Sequence, residues 1–258
     1  MQYRVGIVLS GGGSRGIAHI GVLRALAEHG IRPEVVSGTS SGAIVGALYC
    51  AGFAWPEMLE FFATTSPFRL SKITFGKPGL LDTEKIILDF LPFFPPDSFE
   101  ALERRLFVSA TDLVAARLEV FASGPLVRPV VASSSVPMVF TPTRVGERIY
   151  ADGGIIDNFP VSPLVGLCDV ILGVYVSPLS TVEHGGLESS LAISQRAYEI
   201  GMYHASKRRF HQCDLVICPP GLEQFGLNDV KRRQEIHDLG YQAAVERMPE
   251  IQGLIEAR

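Results

Sequence analysis

Ser40, in the run Gly38-Thr39-Ser40-Ser41-Gly42, is the residue best placed to do chemistry. Gly-x-Ser-x-Gly between a strand and a helix is the spacing of a nucleophile elbow. Two residues without Cβ let the chain turn so sharply that the serine is pushed out above the sheet edge. The plainer reading of the same residues is a tight turn with Ser40 as a helix N-cap. If Ser40 is the nucleophile, the N–H of Ser41 at the same helix start could serve as one donor to a developing oxyanion.

A serine is a weak nucleophile until a base takes its proton. His19 and His29 fall on a first helix, His204 and His211 in or just beyond a late one, and His237 in a charged C-terminal segment. Only His184, in Val182-Glu183-His184-Gly185-Gly186, has a loop-like context after a strand. The nucleophile comes too early in the chain for the usual α/β-hydrolase order of Ser, acid, His. The other candidate is a carboxylate: Tyr150-Ala151-Asp152-Gly153-Gly154 places an acid directly after an apolar strand. Asp152 could take the Ser40 proton itself if burial in an apolar mouth raised its pKa. Taken alone, the motif favours an Asx-turn residue at a strand end.

A third motif, Gly11-Gly12-Gly13-Ser14-Arg15-Gly16, follows a strand and opens a helix. It matches G-x-G-x-x-G, but the second strand does not end in the acidic residue that a dinucleotide ribose needs. No Lys-Ser/Thr follows the glycines, so it is not a P-loop. What it supplies is a row of unobstructed N–H groups at the positive end of a helix, suited to a phosphate or to the O⁻ of a tetrahedral intermediate.

The elements that must hold these residues are strands and helices in alternation. Arg4 to Ser10 is a β-branched strand, and Ile17, Ile20, Leu23 and Ala27 recur at helical spacing up to Gly30. Pro33 to Ser37 is a second strand and a small-residue helix reaches Cys50, the pattern of a parallel α/β sheet. From Trp55 to about Leu106 the chain turns aromatic and proline-rich, with Asp82-Thr83 capping a helix over 84–91. This stretch, about 55–105 and including Phe61, Phe62, Phe68 and Phe75, is expected to form a cap over the sheet. Strands return at 106–111, 118–122, 148–151, 170–176 and 215–218. Helices are expected over 187–210 and within a C-terminal segment of about 220–258.

With no linker or repeat in 258 residues, one domain over 1–258 is expected. A charged share of 19% beside 47% apolar residues excludes disorder, and a net charge of −4 argues against nucleic acid. The longest nearly uncharged apolar stretch, Ala43 to Trp55, is too short to span a bilayer. Met-Gln-Tyr-Arg leads straight into a strand, so no signal peptide is expected. The four cysteines, without a metal-type C-x2-C pair, read as core thiols in a reducing compartment.

In order and separation, Gly11–Gly16, Gly38–Gly42, Ala132-Ser133-Ser134-Ser135-Val136-Pro137 and Asp152-Gly153-Gly154 resemble the four blocks of the patatin-like phospholipases. Ala110-Thr111-Asp112 and Asp157-Asn158-Phe159-Pro160 extend the resemblance over roughly Val5 to Pro178, and the short chain resembles the compact bacterial members. The resemblance implies a three-layer α/β/α fold with a mostly parallel sheet. It also implies a Ser-Asp dyad of Ser40 and Asp152, and an oxyanion loop of Gly11, Gly12 and Gly13. Arg15 would stand at the family's basic position, steadying the turn or drawing an anionic head group. Ser10 departs from the Asp that many members carry there, and residues 133–137 would wall the pocket without reacting.

The expected activity is hydrolysis of lipid esters without metal or organic cofactor, in the cytoplasm, with peripheral membrane contact left open. A lipid-binding or regulatory module on the same fold is the alternative, and a nucleotide-dependent oxidoreductase stands third.

Overall fold

The computed structural model describes residues 3–65, 72–74, 76, 78–179, 181 and 188–258. Among these, eight strands form one sheet: β1 (Tyr3–Leu9), β2 (Val35–Thr39), β3 (Arg105–Asp112), β4 (Arg117–Phe121), β5 (Thr143–Val145), β6 (Arg148–Asp152), β7 (Cys168–Val174) and β8 (Leu215–Ile217). The sheet order is β5-β6-β3-β2-β1-β7-β8, with β4 also paired to β3. The five strands β3, β2, β1, β7 and β8 run parallel, and β4, β5 and β6 join antiparallel at the β3 end.

Strand residues alternate between two buried faces, as the period of two requires. Val5, Ile7 and Leu9 of β1 and Val170, Leu172 and Val174 of β7 enter the larger core. There they meet α1 (Ile17–Glu28), α2 (Ser41–Cys50), α3 (Trp55–Thr64) and α7 (Arg233–Glu256). Val8 and Ile171 turn the other way, to Phe159, Leu164 and Tyr175, with Tyr203 of α6 (Ser190–Lys207) against them. The result is the three-layer α/β/α arrangement with a mostly parallel sheet. The helices α1 and α7 cross at backbone contact: a Cβ on Gly240 would lie 2.0 Å from the Ala18 carbonyl oxygen, and one on Gly21 2.0 Å from that of His237.

In the aromatic stretch, α3 is followed by α4 (Thr83–Phe90), whose N-cap Asp82 accepts from the Glu84 N–H at 3.2 Å. Phe68 and Phe75 lie outside the described residues. Two elements depart from the sequence reading. A short α5 (Val127–Ser133) stands where no helix was expected. Pro129 is tolerated there because first-turn N–H groups have no intrahelical partner to lose. The last helix runs through Pro249 to Glu256, its inner face packed on α1. Of the cysteines, Cys50 and Cys168 are buried, but Cys213 is half-buried and Cys218 exposed, so not all are core thiols. Among the described residues no helix is long and apolar enough to cross a membrane.

Candidate active site

One strand aligns the two candidate reactive residues. β2 runs beside β3 until Thr39 stands opposite Ser109, and β6 comes the other way until Asp152 stands opposite Ala110. Ser40 therefore follows one strand end and Asp152 forms the other, side by side on consecutive residues of β3. The join leaves no room for a side chain: a Cβ on Gly153 would sit 2.2 Å from the Ser109 carbonyl oxygen and 3.0 Å from Thr39 Cγ2.

Ser40 has φ +55° and ψ −126°, a conformation that costs an L-residue of order 1–3 kcal/mol and must be held by its surroundings. The flanking glycines make it geometrically possible. A Cβ on Gly38 would meet the Gly42 carbonyl oxygen at 2.6 Å, and one on Gly42 would meet that of Leu9 at 2.1 Å. The serine's own N–H is held by a residue 93 positions away: it donates to Ser133 Oγ at 2.9 Å, which in turn donates to the Ser109 carbonyl at 2.6 Å. Two residues on, the Ser135 carbonyl accepts the Asp152 N–H at 3.0 Å. The end of α5 thus pins the backbone of both residues. The sequence reading gave residues 133–137 only the part of a wall.

Asp152 is almost wholly buried. Its Oδ1 accepts from the Gly154 N–H at 2.7 Å, while its buried Oδ2 has no completed hydrogen bond. Burial lifts the carboxyl from its ordinary value to about 6, against the smaller opposing pull of the Ser40 hydroxyl and the Gly154 N–H. A carboxylate of that basicity beside a hydroxyl can accept its proton at neutral pH. No histidine lines the cavity among the described residues. His184 lies outside them. His19 is spent elsewhere: its Nε2 donates to the Ser10 carbonyl at 2.8 Å, and burial pushes its pKa down to about 4, so the ring is neutral.

That histidine is part of a scaffold beneath the glycine loop. Ser177 Oγ donates to the Gly11 carbonyl at 2.7 Å, and Ser10 Oγ accepts the Val176 N–H at 2.9 Å. The Gly11 N–H is bound to the Asn158 carbonyl at 3.2 Å, which corrects the expectation that Gly11 is an oxyanion donor. Its role is proximity, since a Cβ there would lie 3.0 Å from Ser40 Cβ. Among the described residues, the N–H groups of Gly12, Gly13 and Ser41 have no hydrogen-bond partner, and all three residues line the cavity that holds Ser40 and Asp152. Unpaired N–H groups at the starts of two helical turns, Gly13–Gly16 and α2, can meet a developing oxyanion.

Arg15 lines the same cavity, and its Nε donates to the Phe225 carbonyl at 2.8 Å. Among the described residues it forms no ion pair; burial lowers its pKa, with Glu199 the strongest charge opposing that. One N–H thus steadies the loop. The cavity has a volume of about 460 Å³, and successive helix faces shape it: Ile44 of α2, Phe61 of α3, Ile86 and Phe90 of α4, Val131 of α5.

The model of the patatin-like phospholipase family matches residues 7–165. An uncharacterized NTE family protein of Mycobacterium tuberculosis is 37% identical over 169 residues, covering 64% of this chain and 46% of that one. The lysophospholipase NTE1 of Coccidioides immitis is 28% identical over 92% of this chain, which covers 17% of it. The chain thus spans less than half the length of these curated relatives. Among solved structures, VipD from Legionella pneumophila superposes on all of this chain and 67% of its own, with a TM-score of 0.53 and 15% identity.

Proposed function

The chain belongs to the patatin-like phospholipase family, and from that premise we propose that it is a serine acyl hydrolase working through a Ser40–Asp152 dyad on lipid esters. The observation that carries the reading is the buried Asp152 beside the strained Ser40, with a carboxyl pKa near 6, at the wall of an apolar cavity.

Asp152 Oδ2 takes the Ser40 proton as Oγ attacks the ester carbonyl carbon. The carbonyl electrons move to the oxygen, where the N–H groups of Gly12, Gly13 and Ser41 meet the charge. Collapse breaks the bond to the alcohol, which leaves with the proton from Asp152, and an acyl-Ser40 ester remains. Water then gives a proton to Asp152 as it attacks; collapse returns that proton to Ser40 and releases the fatty acid.

The name of the fungal relatives makes lysophospholipids the first substrates to try. Exposed Leu80, Met138 and Leu227 at the cavity rim favour approach to a lipid surface. The test is release of p-nitrophenol from a medium-chain ester and of fatty acid from lysophospholipid. Ser40→Ala and Asp152→Asn, each folded, should abolish both; retained hydrolysis in both variants refutes the dyad.

A further inference from the structure

We propose that Phe61 and Phe90 close the inner end of an acyl-chain lobe and set the length of fatty acid the site accepts, a reading that rests on the hydrolase assignment above. Two ends of the cavity differ sharply in exposure. Leu80 and Met138, 66% and 59% exposed, mark the mouth. Phe61, Phe90 and Ile86 are 2%, 5% and 6% exposed, so the cavity reaches the core where they stand.

Apolar residues of four helices, α2 to α5, line the lobe. Ile44 is one turn beyond Ser40 on α2, and Val131 of α5 is one turn before Ser135, whose carbonyl holds the Asp152 N–H; both line the cavity. On α4, Ile86 and Phe90 share a face at a spacing of four and turn it to the cavity. Phe61 of α3 meets Phe90 edge to face, with centroids 4.9 Å apart and planes at 71°. Phe93 backs Phe61 in the same way at 4.8 Å, so the aromatic wall is itself supported and cannot yield without repacking. The five side chains named along the lobe carry no polar atom, and the hydroxyls of Thr65 and Thr83, which also line the cavity, are taken up by the Phe61 carbonyl and by Thr141, so the lobe suits a hydrocarbon chain.

An acyl chain anchored at Ser40 and laid along Ile44 gains burial with each methylene until it reaches the Phe61–Phe90 pair. Longer chains must then bend back or displace a packed ring. The cap residues in α3 and α4 thereby act on specificity although none of them touches the ester.

The test is kcat/KM across a series of p-nitrophenyl esters from acetate to palmitate, for the wild type, Phe90→Leu and Ile44→Phe. In the wild type kcat/KM should rise about fourfold per methylene, the value of one buried CH₂, and then break. Phe90→Leu should move the break to longer chains and Ile44→Phe, which fills the lobe near the dyad, to shorter ones. The readout is the position of the break, not the absolute rate. Labelling of each variant by a fluorophosphonate with a short chain reports that the reactive serine is intact. If Phe90→Leu fails to fold, Phe61→Leu, at the other half of the ring pair, should move the break in the same direction, and a break it leaves in place overturns the ruler. A break at the same chain length in all three overturns the ruler while leaving the dyad standing. A wild type inert towards every ester overturns the hydrolase reading, and the ruler with it.

Discussion

Ser40 and Asp152 end up adjacent because Thr39 and Asp152 occupy the places beside two consecutive residues of β3, Ser109 and Ala110. A parallel strand and an antiparallel strand meet nose to nose on a third, and the reacting pair sits at the meeting point. The pair's geometry is therefore fixed by hydrogen-bond register, and the rate should respond more to changes in that frame than to changes on the surface.

The acid limb of activity should follow Asp152. With its carboxyl near 6, the base is ionised at neutral pH and is lost by protonation below that. The kcat/KM profile of the free enzyme should fall on the acid side with an apparent pKa near 6. An acid limb near 4, the value of an ordinary aspartate, would contradict the burial argument.

The same burial has a cost in stability. A carboxyl raised from 3.8 to about 6 binds its proton more tightly folded than unfolded. Its stabilising effect is therefore complete below pH 3.8 and lost as pH rises through about 6, leaving a penalty of up to about 3 kcal/mol at neutral pH. Asp152→Asn keeps an acceptor for the Gly154 N–H and removes the charge. Its Tm should exceed the wild type's at pH 8, with the gap closing towards pH 4. An equal or lower Tm at pH 8 would count against the penalty.

Ser133 is the residue that the motifs concealed. Ser133→Ala leaves the Ser40 N–H buried without an acceptor, at about 1–3 kcal/mol of stability. It should also lower kcat by about 10- to 100-fold with little change in KM, because it disturbs the position of the nucleophile and not the acyl lobe. A loss confined to KM, or none beyond the fall in Tm, would remove the positioning role.

Arg15 divides two kinds of substrate. Arg15→Gln should reduce kcat/KM for esters that carry a phosphate while sparing uncharged p-nitrophenyl esters. Equal losses on both would leave Arg15 as the brace of the Phe225 carbonyl alone.

The elbow, the acid and the glycine loop were legible because each is a local device: glycines at fixed offsets from a strand end describe their own turn. What depends on distant parts of the chain was not. The partner of the Ser40 N–H is 93 residues away, and the carbonyl that takes the Gly11 N–H belongs to Asn158, 147 residues on. No short motif encodes either meeting. The aromatic stretch announced apolar surface, but only the fold turns the core residues Phe61, Ile86 and Phe90 towards one cavity. The helix α5 escaped notice since seven residues with a proline give too little periodicity to detect.

Reaction of the purified protein with a fluorophosphonate, followed by peptide mapping and by the rate of labelling against pH, tests the dyad most directly. The expected result is a single adduct on Ser40, formed at a rate that rises through about pH 6 in the wild type. It should collapse in Asp152→Asn. An adduct on another residue, or undiminished labelling of Ser40 in Asp152→Asn, would contradict it.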